Sequence, residues 1–317
     1  MTVSNSNNTA GGRITATHLE RDFIGYGPTP PAANWPGGAR IALNFVLNYE
    51  EGSEYSIGHG DGRSEKALTE VSAPRVPEGA RDLAAEGMYE YGSRVGVWRI
   101  ARAFQSRGLP LTVFGCAEAF ELNPQVADMV RESGWDVCCH GNRWEEHYML
   151  DEEAERKAIA DAVASLTRTF GKCPLGWYCR YSPSVNTRRL LAEEGGFLYD
   201  SDSYADDLPY WVSAAGKPHL VVPYTMVNND TKILSGGLAN SDDFFAMLRD
   251  AFDTLYDEGA VNPRMMSVGM HARILGHPSR VAGLARFLDY VQAREQAWIC
   301  RRIDIATHWR SQYPATP

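Results

Sequence analysis

Apolar residues in this chain occur in short runs that alternate with longer amphipathic segments. The run at 41–47 is bounded by polar residues on both sides and is too short for an ordinary helix. Such a run predicts a strand buried on both faces, as in a parallel sheet. Asn48, Tyr49, Glu50 and Glu51 follow it directly. In parallel α/β folds, the residues just past such strands open onto the active site.

The rest of the chain predicts further strands and helices in alternation. Strands are predicted at 110–117, 135–140, 174–178, 197–199, 219–225, 265–271 and 297–301. Helices are predicted at 89–105, 124–133, 151–170, 187–194, 241–258, 281–292 and 303–309. Asp151 is the predicted N-cap of the third helix, and the irregular segment 53–87 predicts a long functional loop. Repeated βα units favour either a (β/α) barrel or a doubly wound sheet.

Composition and charge exclude several classes of protein. The chain has 317 residues, 44% of them hydrophobic and 22% charged, which are ordinary globular values. A net charge of -9 argues against nucleic acid as a partner, and the absence of an 18-residue apolar run argues against a membrane span. Residues 1–20 are polar, so we expect a disordered leader and not a secretory signal, with one domain over 21–317. A cytoplasmic protein is therefore expected.

Carboxylates, histidines and an arginine recur directly after the predicted strands. They are Glu50, Glu51, His140, Arg180, Asp200, Asp202 and His271. Because the carboxyl ends of parallel strands meet at one edge, we expect these side chains to lie close together. Acids, bases and a fixed cation in one place are typical of a hydrolase. No glycine-rich phosphate motif follows a strand, so a nucleotide cofactor is not expected.

Several segments, taken in chain order, resemble the motifs of the polysaccharide deacetylase superfamily. They are FVLNYEEG, HGNRW, GWYCRYSP, LYDSDSYADDLPYW and GMHARILGHP. The sequence is most similar to the cytoplasmic, cofactor-independent allantoinase branch of purine catabolism, from about Arg21 to Pro314. This resemblance implies an α/β fold, specifically a distorted (β/α) barrel of the deacetylase (NodB homology) type. It also implies hydrolysis of a small cyclic amide, such as a ureide, hydantoin or imide, by a homotetramer.

The resemblance also implies roles for individual residues. In the deacetylases the first motif is a pair of aspartates, one the base and one a metal ligand, and Glu50 and Glu51 stand at those places. Neighbouring residues on an extended strand point to opposite sides, so the two carboxylates cannot have equal roles. Glu50 is the expected water-activating base, and Glu51 a ligand or positioning group. His271 is the expected acid for the leaving nitrogen, and Arg180 or backbone N–H groups are expected to hold the oxyanion.

The second motif bears on metal binding. It normally carries two histidines one helical turn apart, but here His140 is followed by Trp144 at the second place. An indole offers a metal no lone pair, so no cofactor is expected. If zinc or another divalent metal were bound, its candidate ligands would be Glu51, His140 and His147.

The fourth motif supplies two further candidates, and two other functions stay open. Asp202 is expected to orient Arg180 or a histidine, and Trp211 is expected to form an apolar wall with Trp144. One alternative is a metal-dependent N-deacetylase of N-acetylated sugars. The other is a non-catalytic binding protein on the same fold.

Overall fold

The computed structural model describes residues 21–71, 73 and 75–315. The predicted leader at 1–20 lies outside the described residues. The chain divides into two units at Pro31. In the described part of the first unit, the carboxylate of Asp22 accepts hydrogen bonds from the backbone N–H groups of Ile24 and Gly25. All strands and helices below belong to the second unit.

The described residues of the second unit contain one sheet. Its strands are β1 Ile41–Tyr49, β2 Thr112–Gly115, β3 Asp136–Cys139, β4 Gly176–Trp177, β5 Tyr199–Asp200, β6 Tyr210–Ala214, β7 Lys217–Val221, β8 Arg264–His271 and β9 Ala297–Cys300. The order is β6-β7-β5-β4-β3-β2-β1-β8, and β9 lies beside the first half of β1. Every residue of β1 is buried, which confirms the strand predicted from its apolar run.

The sheet is parallel except for its β6–β7 hairpin. It curls until β8 meets irregular backbone that follows β7. The N–H of Gly269 donates to Asn228 O at 2.8 Å, and the N–H of Asp230 donates to Gly269 O at 3.1 Å. The closure is therefore made by a loop and not by a strand, and the expected distorted (β/α) barrel is confirmed.

The helices pack around this sheet. They are α1 Leu83–Tyr91, α2 Val97–Gln105, α3 Ala117–Leu122, α4 Pro124–Glu132, α5 Glu152–Phe170, α6 Thr187–Glu194, α7 Thr231–Leu234, α8 Ser241–Glu258, α9 Ala272–Leu275, α10 Pro278–Gln292 and α11 Arg302–Gln312. Asp151 caps α5 by accepting from the N–H of Ala154, as predicted. Across the described ranges, no helix is both long and apolar enough to span a membrane.

The short helices α3, α7 and α9 were not predicted, and neither were two further local features. The first helix begins at Leu83, inside the predicted loop 53–87, because Asp82 accepts from two backbone N–H groups and starts it. The β6–β7 hairpin was missed as well. Ala215 and Gly216 at its turn have φ angles of 49° and 70°, which is the geometry of a two-residue hairpin turn. Alanine is unusual in that conformation, so the turn carries a weak sequence signal.

Arg302 joins the elements at the centre of the barrel. It is fully buried at the start of α11, and its guanidinium donates to Asn44 Oδ1 at 3.0 Å and to Ser267 Oγ at 2.8 Å. It also donates to Ser201 Oγ and to the carbonyl of Pro223, each at 2.9 Å. In the part of the chain that is described, no carboxylate pairs with this cation, and burial lowers the pKa of Arg302. Its charge is distributed over hydroxyl and carbonyl dipoles from several strands.

We expect Arg302→Met to lower the free energy of unfolding by about 2–4 kcal/mol, because buried oxygens would lose their donors. Urea denaturation followed by circular dichroism measures the change. Arg249→Met is the control, since Arg249 pairs with Asp250 on the surface of α8, where a substitution costs little. Equal denaturation midpoints for the two variants would contradict the central role of Arg302.

Candidate active site

A cavity of about 250 Å³ opens at the carboxyl ends of the strands. The side chains of Glu50, His140, Trp144, Arg180 and His271 all line it. Glu50, His140, Arg180 and His271 come from the ends of four different strands, β1, β3, β4 and β8, as the sequence predicts for a parallel α/β fold. The structure therefore brings together most of the candidate residues proposed from the sequence.

Glu50 lies at the centre of this site and is 1% exposed. Its Oε1 is 3.1 Å from Nε2 of His140 and 3.7 Å from Nε2 of His271. Its Oε2 accepts a hydrogen bond of 2.7 Å from Nη2 of Arg273. One carboxylate oxygen is thus held by a guanidinium, while the other faces two imidazoles.

Each imidazole is held from behind by an acceptor. Nδ1 of His140 is 2.7 Å from the carbonyl oxygen of Tyr178, and since a carbonyl only accepts, this nitrogen carries the hydrogen. Nδ1 of His271 is 2.7 Å from Oδ1 of Asp230, whose Oδ2 accepts the backbone N–H of His271. Both rings therefore present Nε2 to Glu50.

The charges around the site shift the pKa values of Glu50 and His271 in opposite directions. Burial alone would raise the pKa of Glu50, but Arg273 and the two histidines outweigh it and hold that pKa far below its usual range. Burial would lower the pKa of His271, but Asp230 and Glu50 outweigh it and raise that pKa above 6.5. The two shifts run in opposite directions, because these neighbours favour the ionised form of Glu50 and the protonated form of His271.

Glu51 lies behind the cavity wall and not on it. Its Oε1 accepts from the backbone N–H of Arg273 at 3.1 Å and lies 3.4 Å from Nη1 of the same residue. A π-helical turn at Gly92–Gly96 passes over this carboxylate, and a Cβ at Gly92 would overlap it. Burial raises the pKa of Glu51. Glu51 therefore holds Arg273 in place beside Glu50.

Arg180 lines the cavity, but its guanidinium is engaged elsewhere. Nη1 and Nη2 donate to the two carboxylate oxygens of Glu65 at 2.6 and 3.1 Å. Nη1 also donates to the carbonyl of Trp144 at 2.9 Å, and the guanidinium lies 3.6 Å from the centre of that indole. Because Glu65 belongs to the long segment after β1, this pair fixes the segment against the wall.

Two wall residues have strained backbone. Leu68 and Tyr181 line the cavity with φ angles of 51° and 58°, a region that side-chain-bearing residues rarely adopt. Nε of Arg273 donates to Leu68 O at 3.2 Å, and the hydroxyl of Tyr204 donates to Tyr181 O at 3.0 Å. Strain of this kind persists only where surrounding contacts determine it, and it occurs often at functional sites.

Asp202 and Trp211 lie away from the cavity. Oδ1 of Asp202 accepts the N–H of Cys179 at 2.8 Å, and burial next to Asp200 raises the pKa of Asp202 to about 8. It thus supports the backbone that leads into Arg180. The indole N–H of Trp211 donates to the carbonyl of Tyr313 at 2.8 Å. Trp211 packs on the C-terminal segment because β6 is the edge strand of the sheet.

The three metal-ligand candidates do not converge. Glu51 faces Arg273, and Nδ1 of His147 is 3.2 Å from the buried Glu155; of the three, only His140 reaches the cavity. In the described ranges, no group of three or more His, Cys, Asp and Glu side chains is arranged to hold a metal. The candidate donors do not fit a divalent ion, because Arg273 holds Glu51 and Glu155 holds His147.

Sequence reasoning missed Asp230, Arg273 and Glu65. Arg273 lies two residues after His271, just beyond the end of β8, and this position was its only local signal. Asp230 and Glu65 lie in irregular segments. Their partners are 41 and 115 residues away in sequence, so no local pattern connects them.

Comparisons with known proteins agree with this geometry. Residues 84–199 match the family model described as "Polysaccharide deacetylase". A Schizosaccharomyces pombe protein named "Putative polysaccharide deacetylase" is 37% identical over 93% of this chain and 98% of its own length.

Two solved structures are similar over nearly the whole chain. A "probable Polysaccharide deacetylase" from Pseudomonas aeruginosa PAO1 is 49% identical with a TM-score of 0.91, covering 94% of this chain and 100% of the other. A PuuE allantoinase is 50% identical with a TM-score of 0.90, covering 94% of this chain and 99% of the other.

Asp230→Asn should lower the pKa of His271, because it removes the carboxylate that stabilises the protonated ring. His271 would then release its proton at a lower pH than in the unchanged protein. A histidine-resolved NMR titration measures this, with Asp128→Asn, on the surface of α4, as control. An unchanged His271 titration in Asp230→Asn would contradict the proposed electrostatic coupling.

Proposed function

Because this chain belongs to the polysaccharide deacetylase family and lies in its allantoinase-type branch, we propose that it hydrolyses a small cyclic amide. The substrate class is a ureide, hydantoin or imide, with allantoin as its first candidate. The observation that carries this proposal is the placing of Glu50 between two imidazoles and a buried guanidinium. That arrangement supplies a base and an acid to one small cavity.

The size of the cavity supports a small ring as substrate. Pockets for drug-sized ligands are typically about 300–1,000 Å³, and this one is about 250 Å³. Trp144, Tyr178 and Tyr224 provide aromatic walls suited to a flat ring. A sugar polymer would need a longer groove.

In the first step, a water molecule attacks the ring carbonyl carbon. Oε1 of Glu50 takes a proton from the water as the new C–O bond forms, and the carbonyl oxygen becomes an oxyanion. Glu50 is ionised throughout the neutral range, so the acceptor is always available. Its low pKa makes it a weak base, so accurate positioning of the water must contribute much of the rate.

In the second step, the ring C–N bond breaks. Nε2–H of His271 gives its proton to the leaving nitrogen while the oxyanion returns its electrons to form the carboxyl group. Glu50 now carries a proton and His271 lacks one. Because Glu50 Oε1 is 3.7 Å from His271 Nε2, a proton can return across this gap or through a water molecule and reset the site.

We propose that the reaction needs no metal. Arg273 supplies the positive charge that Glu50 and Glu51 require. Its Nη2 lies 2.7 Å from Oε2 of Glu50, and its Nη1 lies 3.4 Å from Oε1 of Glu51. Buried carboxylates are stable only when such a charge is paired with them. Arg180 is assigned a positioning role here, since Glu65 already occupies its two Nη atoms.

Glu50→Gln should reduce kcat about 10²–10⁴-fold, because the amide keeps the shape of the side chain but cannot accept the proton of water. Steady-state kinetics on a ring amide measures the loss, and Glu132→Gln at the exposed end of α4 is the matched control. If Glu50→Gln kept more than about a tenth of the activity, another group would be the base.

A hydrolysis screen tests the function itself. We expect turnover of at least one compound among allantoin, hydantoin and succinimide, no turnover of N-acetylglucosamine oligomers, and no effect of EDTA. The sugar reaction has its own support, since relatives in S. pombe and P. aeruginosa carry the names "Putative polysaccharide deacetylase" and "probable Polysaccharide deacetylase". Activity on the oligomers alone, lost with EDTA and restored by zinc, would establish that alternative instead.

A further inference from the structure

Asn48 lines the cavity but has no part in the acid–base steps. It lies near the end of β1, two residues before Glu50, and both side chains line the cavity. Nδ2 of Asn48 donates to the carbonyl of Met270 at 3.0 Å and to the hydroxyl of Tyr224 at 3.1 Å. Because the carbonyl of Met270 only accepts, the side-chain atom of Asn48 that faces it must be the amide nitrogen. Both of its hydrogens are therefore used within the protein.

This arrangement leaves one acceptor and one donor for a ligand. Within the described part of the chain, Oδ1 of Asn48 accepts from no donor. The hydroxyl of Tyr224 accepts from Asn48, so its own hydrogen can be donated, and no described residue takes it. Tyr224 lines the same cavity. The acceptor Oδ1 of Asn48 and the donor hydroxyl of Tyr224 thus lie side by side, because the amide nitrogen of Asn48 binds that hydroxyl.

Ring amides and open-chain amides differ in the edge that they present. In a small ring the amide is cis, so its C=O and N–H lie on the same edge. In an open-chain secondary amide, such as the acetamido group of a sugar, the bond is trans and these groups point to opposite sides. A neighbouring donor and acceptor can bind both groups at once only in the cis form.

We infer that Asn48 and Tyr224 bind the cis edge of the scissile ring amide. Tyr224 donates to the carbonyl oxygen, and Oδ1 of Asn48 accepts the ring N–H. The inference rests on the proposed function and narrows it to ring amides whose nitrogen carries a hydrogen. When the C–N bond breaks, its electron pair stays on the nitrogen and points away from the N–H hydrogen. His271 can therefore protonate the nitrogen while Asn48 keeps its contact with the N–H.

Tyr224 gains a second role from this geometry. When water adds, negative charge develops on the carbonyl oxygen, and a fixed hydroxyl donor stabilises it more than it stabilises the substrate. Asn48 orients that hydroxyl by donating to its oxygen, so Asn48 serves both as a contact for the substrate and as a support for Tyr224.

N-methylated substrates test the inference in the unchanged protein. The kcat/KM for succinimide is compared with that for N-methylsuccinimide, and hydantoin with 3-methylhydantoin, each corrected for its uncatalysed rate. We expect the N–H compound to be favoured about 10–100-fold, because the methylated ring leaves Oδ1 of Asn48 unpaired. This comparison needs no variant, so it does not depend on how a substitution folds.

Two variants separate the contacts. Tyr224→Phe should lower kcat about 10²–10³-fold with little change in KM and should keep the N–H preference. Asn48→Ala should reduce that preference to less than about threefold and also lower kcat, since Tyr224 loses its support. Tyr256→Phe is the control, because its hydroxyl donates to Glu295 O on the outside of α8.

The outcomes distinguish this inference from the function on which it rests. Equal hydrolysis of N–H and N-methyl rings by the unchanged protein overturns the Asn48–Tyr224 edge contact and leaves ring hydrolysis standing. Tyr224→Phe with unchanged kcat overturns the oxyanion contact. If no ring amide is hydrolysed at all, the proposed function fails first, and the inference fails with it.

Discussion

The site depends on a buried cation between two buried carboxylates. The guanidinium of Arg273 donates to Glu50 and Glu51, and it lies 4.2 Å from the ring centre of Tyr89. Two adjacent carboxylates cannot be taken out of water together without a positive partner. Arginine meets this need with a charge that no ordinary pH removes. This ion pair also contacts its surroundings closely, since a Cβ at Gly92 would overlap Glu51 and Nε of Arg273 donates to the carbonyl of Leu68.

The same ion pair explains how the proposed base, Glu50, can lie beside the proposed acid, His271. Arg273 holds one oxygen of Glu50 and keeps the group ionised, so the other oxygen is free to face His140 and His271. Asp230 counteracts Arg273 at His271, since it favours the protonated ring. The pKa values of the proposed base and the proposed acid are thus shifted in opposite directions although the two groups lie 3.7 Å apart. This is how neighbouring titratable groups acquire separate catalytic roles.

Elements whose signal is local were predicted well, and contacts across the barrel were not. The helices α6 and α8 have the predicted bounds, and β1 was recognised because a strand buried on both faces needs a continuous apolar run. The strand ends then brought Glu50, His140 and His271 together, as expected for a parallel sheet. The partner of Glu50, however, is 223 residues away at Arg273. No periodicity encodes such a pair, because it depends on how far the sheet curls.

Trp144 connects the loss of a metal ligand with the shape of the cavity. The superfamily motif carries a second imidazole at this place, and an indole cannot coordinate an ion. The indole ring instead lies 3.6 Å from the guanidinium of Arg180 and 5.1 Å from that of Arg273, where its π face attracts both cations. Trp144 therefore stands where the motif has a metal ligand. Its ring packs against Arg273, which binds Glu50, and against Arg180, which binds Glu65 at the cavity wall. Trp144 thus links the absent second imidazole to the position of both arginines, because its ring packs against each guanidinium.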